Sequence, residues 1–165
     1  MLFRSCLVGR VQPVTTLAEE WKLYVDAVQQ IGRRAEALEL ELVMEVLNRY
    51  EAHLLLTAEE TVAFVEAVGS PKVGILLDTY HMNIEEKDLR RAIFKARKHL
   101  KHFHIADSNR WGVGDGHTDF VSIIRALRNV NYAGPIVVET PAPKLNPLTP
   151  REGDDLMKWL ETSLD

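Results

Sequence analysis

The feature that most constrains the fold of this chain is a repeated alternation of a capped amphipathic helix with a short apolar strand. The stretch TTLAEE predicts a helix start, because the side chain of Thr16 can cap the helix and Glu19 can complete a capping box. Apolar residues then recur at helical spacing to about Leu38, and the run ELVMEVLN that follows is long enough for a buried strand.

The same alternation continues along the rest of the chain. TAEETVAFVEAVG carries a second capping box at Thr57 and Glu60 and a stop signal at Gly69, and KVGILLD follows as a strand. Further helices and strands are predicted in the order EKDLRRAIFKARKHL, KHFHIAD, TDFVSIIRALRNVNYAG ending near Gly134, PIVVET and EGDDLMKWLETSL. Strands that alternate with helices predict a parallel sheet covered by helices. We therefore predict an α/β fold with four clear parallel strands in one domain, residues 1–165.

The composition is that of an ordinary globular protein and excludes several classes of function. The 165 residues are 46% hydrophobic, and the formal net charge of -4 gives no basic surface for nucleic acid. A single cysteine, Cys6, excludes an internal disulfide and a cysteine-based zinc site. No apolar run approaches the roughly 18 residues of a membrane span. We expect a cytoplasmic protein with a small-molecule partner, and neither nucleic acid nor a membrane.

Each predicted strand carries one ionisable residue near its carboxyl end. These residues are Glu45, Asp78, His104 and Glu139. Ligands of parallel α/β folds bind at the carboxyl ends of the strands, so the four side chains are expected to converge. Three carboxylates and one imidazole suit Mn²⁺, Mg²⁺ or Co²⁺. The alternative is that each acid caps a helix or faces solvent, and that His104 is a hydrogen-bonded core residue.

Other polar residues extend this set or lie outside it. Glu51 follows Glu45 by six positions, and Arg110 follows His104 by six positions. This places both residues in loops at the rim of the mouth, by which we mean the opening at the carboxyl ends of the strands where the four side chains are expected to converge. The glycine-rich segment WGVGDGHTDF is read as a mobile flap over the mouth, or otherwise as an ordinary turn. His99 and His102 flank a lysine-rich helix end and are expected at the surface.

Four segments together resemble a known family. EVLNRYE, LLDTYHMNIEE, HFHIADSNR followed by GDGHTDF, and GPIVVET resemble, in this order, the C-terminal half of the ketose 3-epimerases of the D-tagatose/D-psicose type. Those enzymes belong to the xylose-isomerase-like TIM-barrel superfamily. The resemblance covers nearly the whole chain, from LVGRVQP, which is similar to the end of barrel strand four, to the helix after strand eight.

The resemblance implies a reaction and a role for each matched residue. It implies a divalent metal, Mn²⁺ first and Co²⁺ or Mg²⁺ otherwise, on Glu45, Asp78, His104 and Glu139. It also implies that Glu51, His81 and Arg110 contact the substrate. The reaction is C3 epimerisation of a free ketose through an enediolate that the metal stabilises. The two glutamates of the metal set are the catalytic acid and base on opposite faces of the carbon.

Related activities stay open. Hydroxypyruvate isomerases resemble the Asp-Tyr-His-Met stretch that begins at Asp78, but a different segment is expected where this chain has DSNR. Sugar-phosphate isomerases and inosose dehydratases also remain alternatives. Endonuclease-IV-type repair enzymes need more histidines and a basic face for DNA, and neither is evident in the sequence.

The chain supplies only half of the barrel that the resemblance implies. A complete barrel needs eight strands and at least about 200 residues, whereas this sequence has four clear strands plus part of a fifth at its start. A half barrel exposes two sheet edges and an apolar interior. We expect either a homo-oligomer or a complementary N-terminal half barrel as partner. A half that binds metal or a partner without independent activity is the third alternative.

Overall fold

The computed structural model describes residues 15–140 and the backbone of residues 4–5. The strands are β1 (Arg4–Ser5), β2 (Leu42–Glu45), β3 (Val73–Asp78), β4 (Leu100–Ile105) and β5 (Ile136–Val138). The helices are α1 (Leu17–Ala37), α2 (Ala58–Val68), α3 (Thr79–Glu85), α4 (Leu89–Ala96) and α5 (Phe120–Asn129). The predicted closing helix EGDDLMKWLETSL and the segment LVGRVQP lie outside the described residues. None of the described helices is long and apolar enough to cross a membrane.

The five strands form one parallel sheet in the order β1-β2-β3-β4-β5. Every pair of neighbouring strands is consecutive in the chain and parallel, with a helical connection between them. This is the arrangement of successive units of a (β/α) barrel, so the predicted fold class of four clear strands plus part of a fifth is confirmed. Because all strands point the same way, their carboxyl ends lie along one edge of the sheet.

The strands differ in how deeply they are buried. Every residue of β2 and β3 is buried, as expected for a parallel strand with both faces covered. All three residues of β5 are exposed, and Val138 has 58% of its surface accessible. β5 is the last strand of the described sheet, and an exposed apolar edge strand is what half of a barrel would present.

The first two helices begin at the cap residues predicted from the sequence, Thr16 and Thr57. Thr16 and Glu19 form the complete capping box of α1. Thr57 caps α2 by accepting from the backbone N–H of Glu60, but the Glu60 carboxylate accepts from Leu56 rather than from the cap residue itself. Gly69 ends α2 in the left-handed conformation at φ 72°, which glycine adopts without strain.

The segment after β3 differs from the sequence prediction. α3 begins directly after Asp78, whose Oδ1 accepts from the backbone N–H of Tyr80 at 2.7 Å, so the last residue of the strand also caps a helix. The next helix, α4, is shorter than predicted because Asp88 caps it and Ala96 ends it. α5 likewise ends at Asn129, before the predicted Gly134.

The expectation that His102 lies at the surface is wrong. His102 is buried in β4, with its ring 4.8 Å from the ring of His104. Residues two apart in a strand point to the same face, so the two histidines share the face that carries the strand-end residues. The flanking lysines had suggested a helix end at the surface. Lys101 is instead the neighbour of His102 in β4 and points to the opposite face, and Lys98 lies in the turn before the strand.

A buried aspartate organises the loop between β4 and α5. The carboxylate of Asp107 accepts from the backbone N–H groups of Ser108, Gly114 and Thr118 at 2.7–3.0 Å. Burial alone would raise the pKa of Asp107, but these bonds outweigh it and hold the pKa well below its usual range. A side chain at Gly116 would collide with Asp107. The segment read as a flap is therefore a hydrogen-bonded loop wrapped around one carboxylate.

Replacing Asp107 by Asn should lower the free energy of unfolding by about 1–3 kcal/mol, because an amide nitrogen would face backbone donors. Since the pKa of Asp107 is lower in the folded chain, its stabilising contribution is complete above a pH of about 4 and declines below it. Urea unfolding of both proteins at a series of pH values measures this. Asp115→Asn, at an exposed position of the same loop, is the matched control. Equal stability of Asp107→Asn and the parent at neutral pH would contradict this account of the loop.

Candidate metal centre

Four neighbouring strands bring one ionisable side chain each to the same edge of the sheet. Glu45 ends β2, Asp78 ends β3, His104 is the penultimate residue of β4, and Glu139 follows β5. Strand pairing sets Asp78 directly beside His104. The backbone N–H of Glu139 donates to the carbonyl of Ile105 at 3.1 Å, which continues the pairing of β4 with β5 by one residue.

These four side chains form one cluster. Each offers an atom such that all four atoms lie within 4.8 Å of one another. The Nδ1 of His104 lies 3.7 Å from Asp78 Oδ2 and 3.5 Å from Glu139 Oε2. Glu45, Asp78 and His104 are buried, and Glu139 is partly exposed. Three carboxylates and one imidazole at this spacing can surround a single divalent cation.

Two atoms of the cluster have unused hydrogen-bonding capacity. Asp78 Oδ2 and His104 Nδ1 are buried and have no hydrogen-bond partner among the described residues. Asp78 uses its other oxygen to cap α3, so Oδ2 is left directed at the cluster. Buried polar atoms without partners are costly, and a cation bound between them would satisfy both. The residues present therefore fit a divalent metal.

The electrostatics of His104 show how strongly negative the cluster is. Burial by itself lowers the pKa of this histidine, but the carboxylates of Asp78 and Glu139 outweigh burial and raise it to about 9. The carboxylates thus favour a positive charge at this position. A bound divalent cation would supply that charge and would require the imidazole to be neutral.

The residues matched to substrate contacts lie beside the cluster. Arg110 Nη1 donates to Glu51 Oε1 at 3.1 Å, and its Nη2 lies 3.5 Å from Glu139 Oε2. The guanidinium also lies over the ring of Tyr80, 4.7 Å from the centroid. Arg110 has a positive φ of 66°, an uncommon conformation for a residue with a Cβ, within the loop around Asp107. The structure therefore places Glu51 and Arg110 at the rim of the mouth.

His81 lies deeper, on α3. It is fully buried, and its Nε2 lies 4.0 Å from Glu45 Oε1. Burial lowers the pKa of His81 despite the attraction of Asp78 and Glu51, so the neutral ring is favoured at neutral pH. The structure thus brings all seven residues named from the sequence together at the carboxyl ends of the strands.

Sequence reasoning missed two residues that shape this mouth. Asn48 is fully buried and contacts both His81 and Glu51, and Asp107 holds the loop that carries Arg110. The only signal for Asn48 was its place inside the quoted segment EVLNRYE. Asp107 stood at the end of the predicted strand KHFHIAD, where an aspartate is typical of an ordinary turn residue.

Comparison with known proteins identifies relatives of this chain and its fold. The family profile described as xylose isomerase-like TIM barrel matches residues 2–163. The D-psicose 3-epimerase of Enterocloster bolteae is 45% identical over 112 residues, which are 68% of this chain and 37% of that protein. The L-ribulose 3-epimerase of Methylomonas sp. is 35% identical over 154 residues, which are 93% of this chain and 53% of that protein.

Two of the similar solved structures are also D-psicose 3-epimerases. A crystal structure of D-psicose 3-epimerase in the presence of D-fructose matches with a TM-score of 0.82 and 37% identity, covering 96% of this chain and 55% of that one. D-psicose 3-epimerase with D-tagatose, from Clostridium cellulolyticum H10, matches with a TM-score of 0.83 and 31% identity, over 99% of this chain and 62% of that one.

The match covers most of this chain but only part of each relative. The chain spans about half the length of the curated relatives and solved structures that it matches. The profile match nevertheless extends over almost all of its residues. This chain belongs to the xylose isomerase-like TIM-barrel family.

Proposed function

We propose that this chain is the active-site half of a metal-dependent ketose 3-epimerase that inverts C3 of a free ketose. The observation that carries the proposal is the convergence of Glu45, Asp78, His104 and Glu139 within 4.8 Å at the ends of neighbouring strands. The curated relatives that act on ketoses support the reaction class. A putative sugar phosphate isomerase/epimerase from Anabaena variabilis is only 16% identical and supports the fold alone.

The metal would be held by the four residues of the cluster. Their oxygen-rich donor set favours Mn²⁺, with Co²⁺ or Mg²⁺ as alternatives. When bound, such a cation acts as a Lewis acid that polarises the ketose carbonyl and acidifies the hydrogen on C3. This assignment accounts for the two buried polar atoms that the described residues leave without partners.

The two glutamates would carry the proton. Glu45 and Glu139 come from the outer two of the four ligand-bearing strands, so a sugar bound between them can present opposite faces of C3 to the two carboxylates. One carboxylate removes the proton from C3 and leaves an enediolate. The other carboxylic acid returns a proton to C3 on the opposite face, which gives the epimer. The two residues exchange roles in the reverse direction.

The other three residues would hold the sugar. The Arg110 guanidinium can donate to a sugar oxygen, because it is oriented by Glu51 and by the Tyr80 ring. The Nε2 of His81 is buried without a hydrogen-bond partner among the described residues, and it can donate to the oxygen at C2 as charge develops there. Glu51 can accept from a hydroxyl at the rim.

Activity would require the other half of the barrel or a second copy of the chain. The exposed β5 edge and the partial coverage of the relatives support a single half-barrel domain, residues 1–165, that pairs with an N-terminal half barrel or with itself. A half that binds metal without turnover is the alternative. Cytoplasmic location stays a prediction based on the single cysteine.

Metal binding should stabilise the folded chain. Adding Mn²⁺ at 100 times its Kd should raise the free energy of unfolding by about 2.7 kcal/mol, which thermal unfolding detects as a higher Tm. Glu45→Gln and Asp78→Asn should abolish most of this rise, because each removes a charged ligand. Glu66→Gln and Asp26→Asn, at exposed positions, are the matched controls and should retain it. A rise of the same size in Asp78→Asn would contradict the assigned ligand set.

Incubation with Mn²⁺ and D-fructose, D-tagatose or D-ribulose in deuterated water should give the C3 epimer with deuterium at C3, because the proton returns from a carboxyl group that exchanges with solvent. Carbohydrate chromatography and proton NMR measure both products. Glu139→Gln should abolish the epimer and Glu66→Gln should not. Light scattering on the same samples should show a dimer or larger assembly if the chain pairs with itself. Metal binding without any epimer would contradict activity of the chain on its own.

A further inference from the structure

A buried asparagine contacts the ring nitrogen of His81 that is turned away from Glu45. Asn48 Nδ2 lies 2.8 Å from His81 Nδ1, and the backbone N–H of Asn48 also donates to His81 Nδ1 at 3.3 Å. Both residues are fully buried. Two groups of one residue therefore meet one nitrogen of the ring, while Nε2, the other nitrogen, lies 4.0 Å from Glu45 Oε1.

Neighbouring contacts fix which end of the Asn48 amide faces the histidine. Asn48 Oδ1 accepts from the backbone N–H of Tyr50 at 2.9 Å, and only the oxygen can accept there. The nitrogen is consequently the atom that meets His81, and its second hydrogen goes to Glu51 Oε1 at 3.1 Å. Both hydrogens and the oxygen of the amide are thus used, so the side chain has one orientation.

The donors decide the tautomer of His81. A backbone N–H can only donate, so His81 Nδ1 must offer a lone pair to it, and the amide N–H needs the same lone pair. A neutral imidazole that accepts at Nδ1 carries its hydrogen on Nε2. That hydrogen then points into the mouth, where Nε2 has no hydrogen-bond partner among the described residues.

We propose that Asn48 is a positioning residue that holds His81 as the neutral Nε2–H tautomer, so that the ring donates a hydrogen bond to the ketose oxygen at C2. The proposal rests on the proposed function for the identity of the oxygen, but the tautomer itself is a property of the chain. The other tautomer would turn a lone pair towards Glu45 and the sugar oxygen. An imidazolium would pair with Glu45 and make that carboxylate a weaker base.

The tautomer can be read without any activity. In the full chain labelled with ¹⁵N at histidine, NMR should show a pyridine-type Nδ1 and a pyrrole-type Nε2 for His81 at neutral pH. The loss of these signals in His81→Gln assigns them. A proton on Nδ1 of His81 in the parent protein would overturn the proposal, whatever the enzyme assays show.

The isosteric change Asn48→Asp tests the role of the amide. It replaces the donor by a carboxylate, so a proton on His81 Nδ1 becomes favourable and the pyridine-type Nδ1 signal should be lost. Asn131→Asp, an exposed position with a positive φ that Asp also tolerates, is the matched control and should leave His81 unchanged. If Asn48→Asp does not fold, Asn48→Ala removes the shorter of the two donor contacts, the amide at 2.8 Å, and keeps only the backbone donor at 3.3 Å. The preference for Nε2–H is then weaker, so the Nε2–H fraction of His81 should fall. An unchanged His81 spectrum in the folded variant would overturn the proposal.

Kinetics separate a positioning role from a merely structural one. In the assembly that turns over ketose, Asn48→Asp should lower kcat by roughly 10- to 100-fold with a smaller change in KM, since the lost hydrogen bond strengthens as charge develops. Equal losses in kcat and in the folded fraction would overturn the positioning role. If no assembly is active, the proposed function fails, and the NMR experiment still decides the tautomer.

Discussion

Three carboxylates, two of them buried and one partly exposed, converge within 4.8 Å of one another, and the surrounding structure must compensate their charge. Glu45 and Asp78 are almost inaccessible, and Glu139 completes the group from the last described strand. Buried like charges cost several kcal/mol each unless a cation compensates them. The carboxylates of Asp78 and Glu139 raise the pKa of His104, so a proton on this histidine would meet part of this need. A divalent cation would meet it more fully, which links the fold to the proposed chemistry.

Two side chains around this cluster divide their polar atoms between two roles. One polar atom makes a hydrogen bond that holds the side chain in place, and the other faces the mouth. Asp78 caps α3 with Oδ1 while Oδ2 stays unpaired among the described residues. His81 accepts at Nδ1 from Asn48 while Nε2 stays available. In each case the structural bond fixes the orientation of the functional atom. Such preorganisation costs nothing when the substrate arrives, which is why it favours catalysis.

The sequence predicted the strand-end residues because parallel strands are apolar runs and their carboxyl ends must meet, so that polar residues at those ends stand out. It did not predict α3, since a helix that starts on the last residue of a strand leaves no polar linker to mark its cap. Asn48 and Asp107 were missed because an Asn or Asp near a strand end is ordinary in sequence, and only the backbone donors around it reveal its role. The lysines beside His102 were misleading, because neighbouring residues of a strand point to opposite faces, so His102 is buried although the adjacent Lys101 is only partly buried.

We propose that this chain by itself carries a complete set of metal ligands, although it spans about half of its relatives. Pulsed electron paramagnetic resonance of Mn²⁺ added to the full chain tests that claim most directly. We expect one bound Mn²⁺ per chain with coupling to a single imidazole nitrogen, and this coupling should be absent in His104→Gln and retained in His117→Gln. Mn²⁺ surrounded only by water, or a nitrogen coupling that survives in His104→Gln, would contradict it.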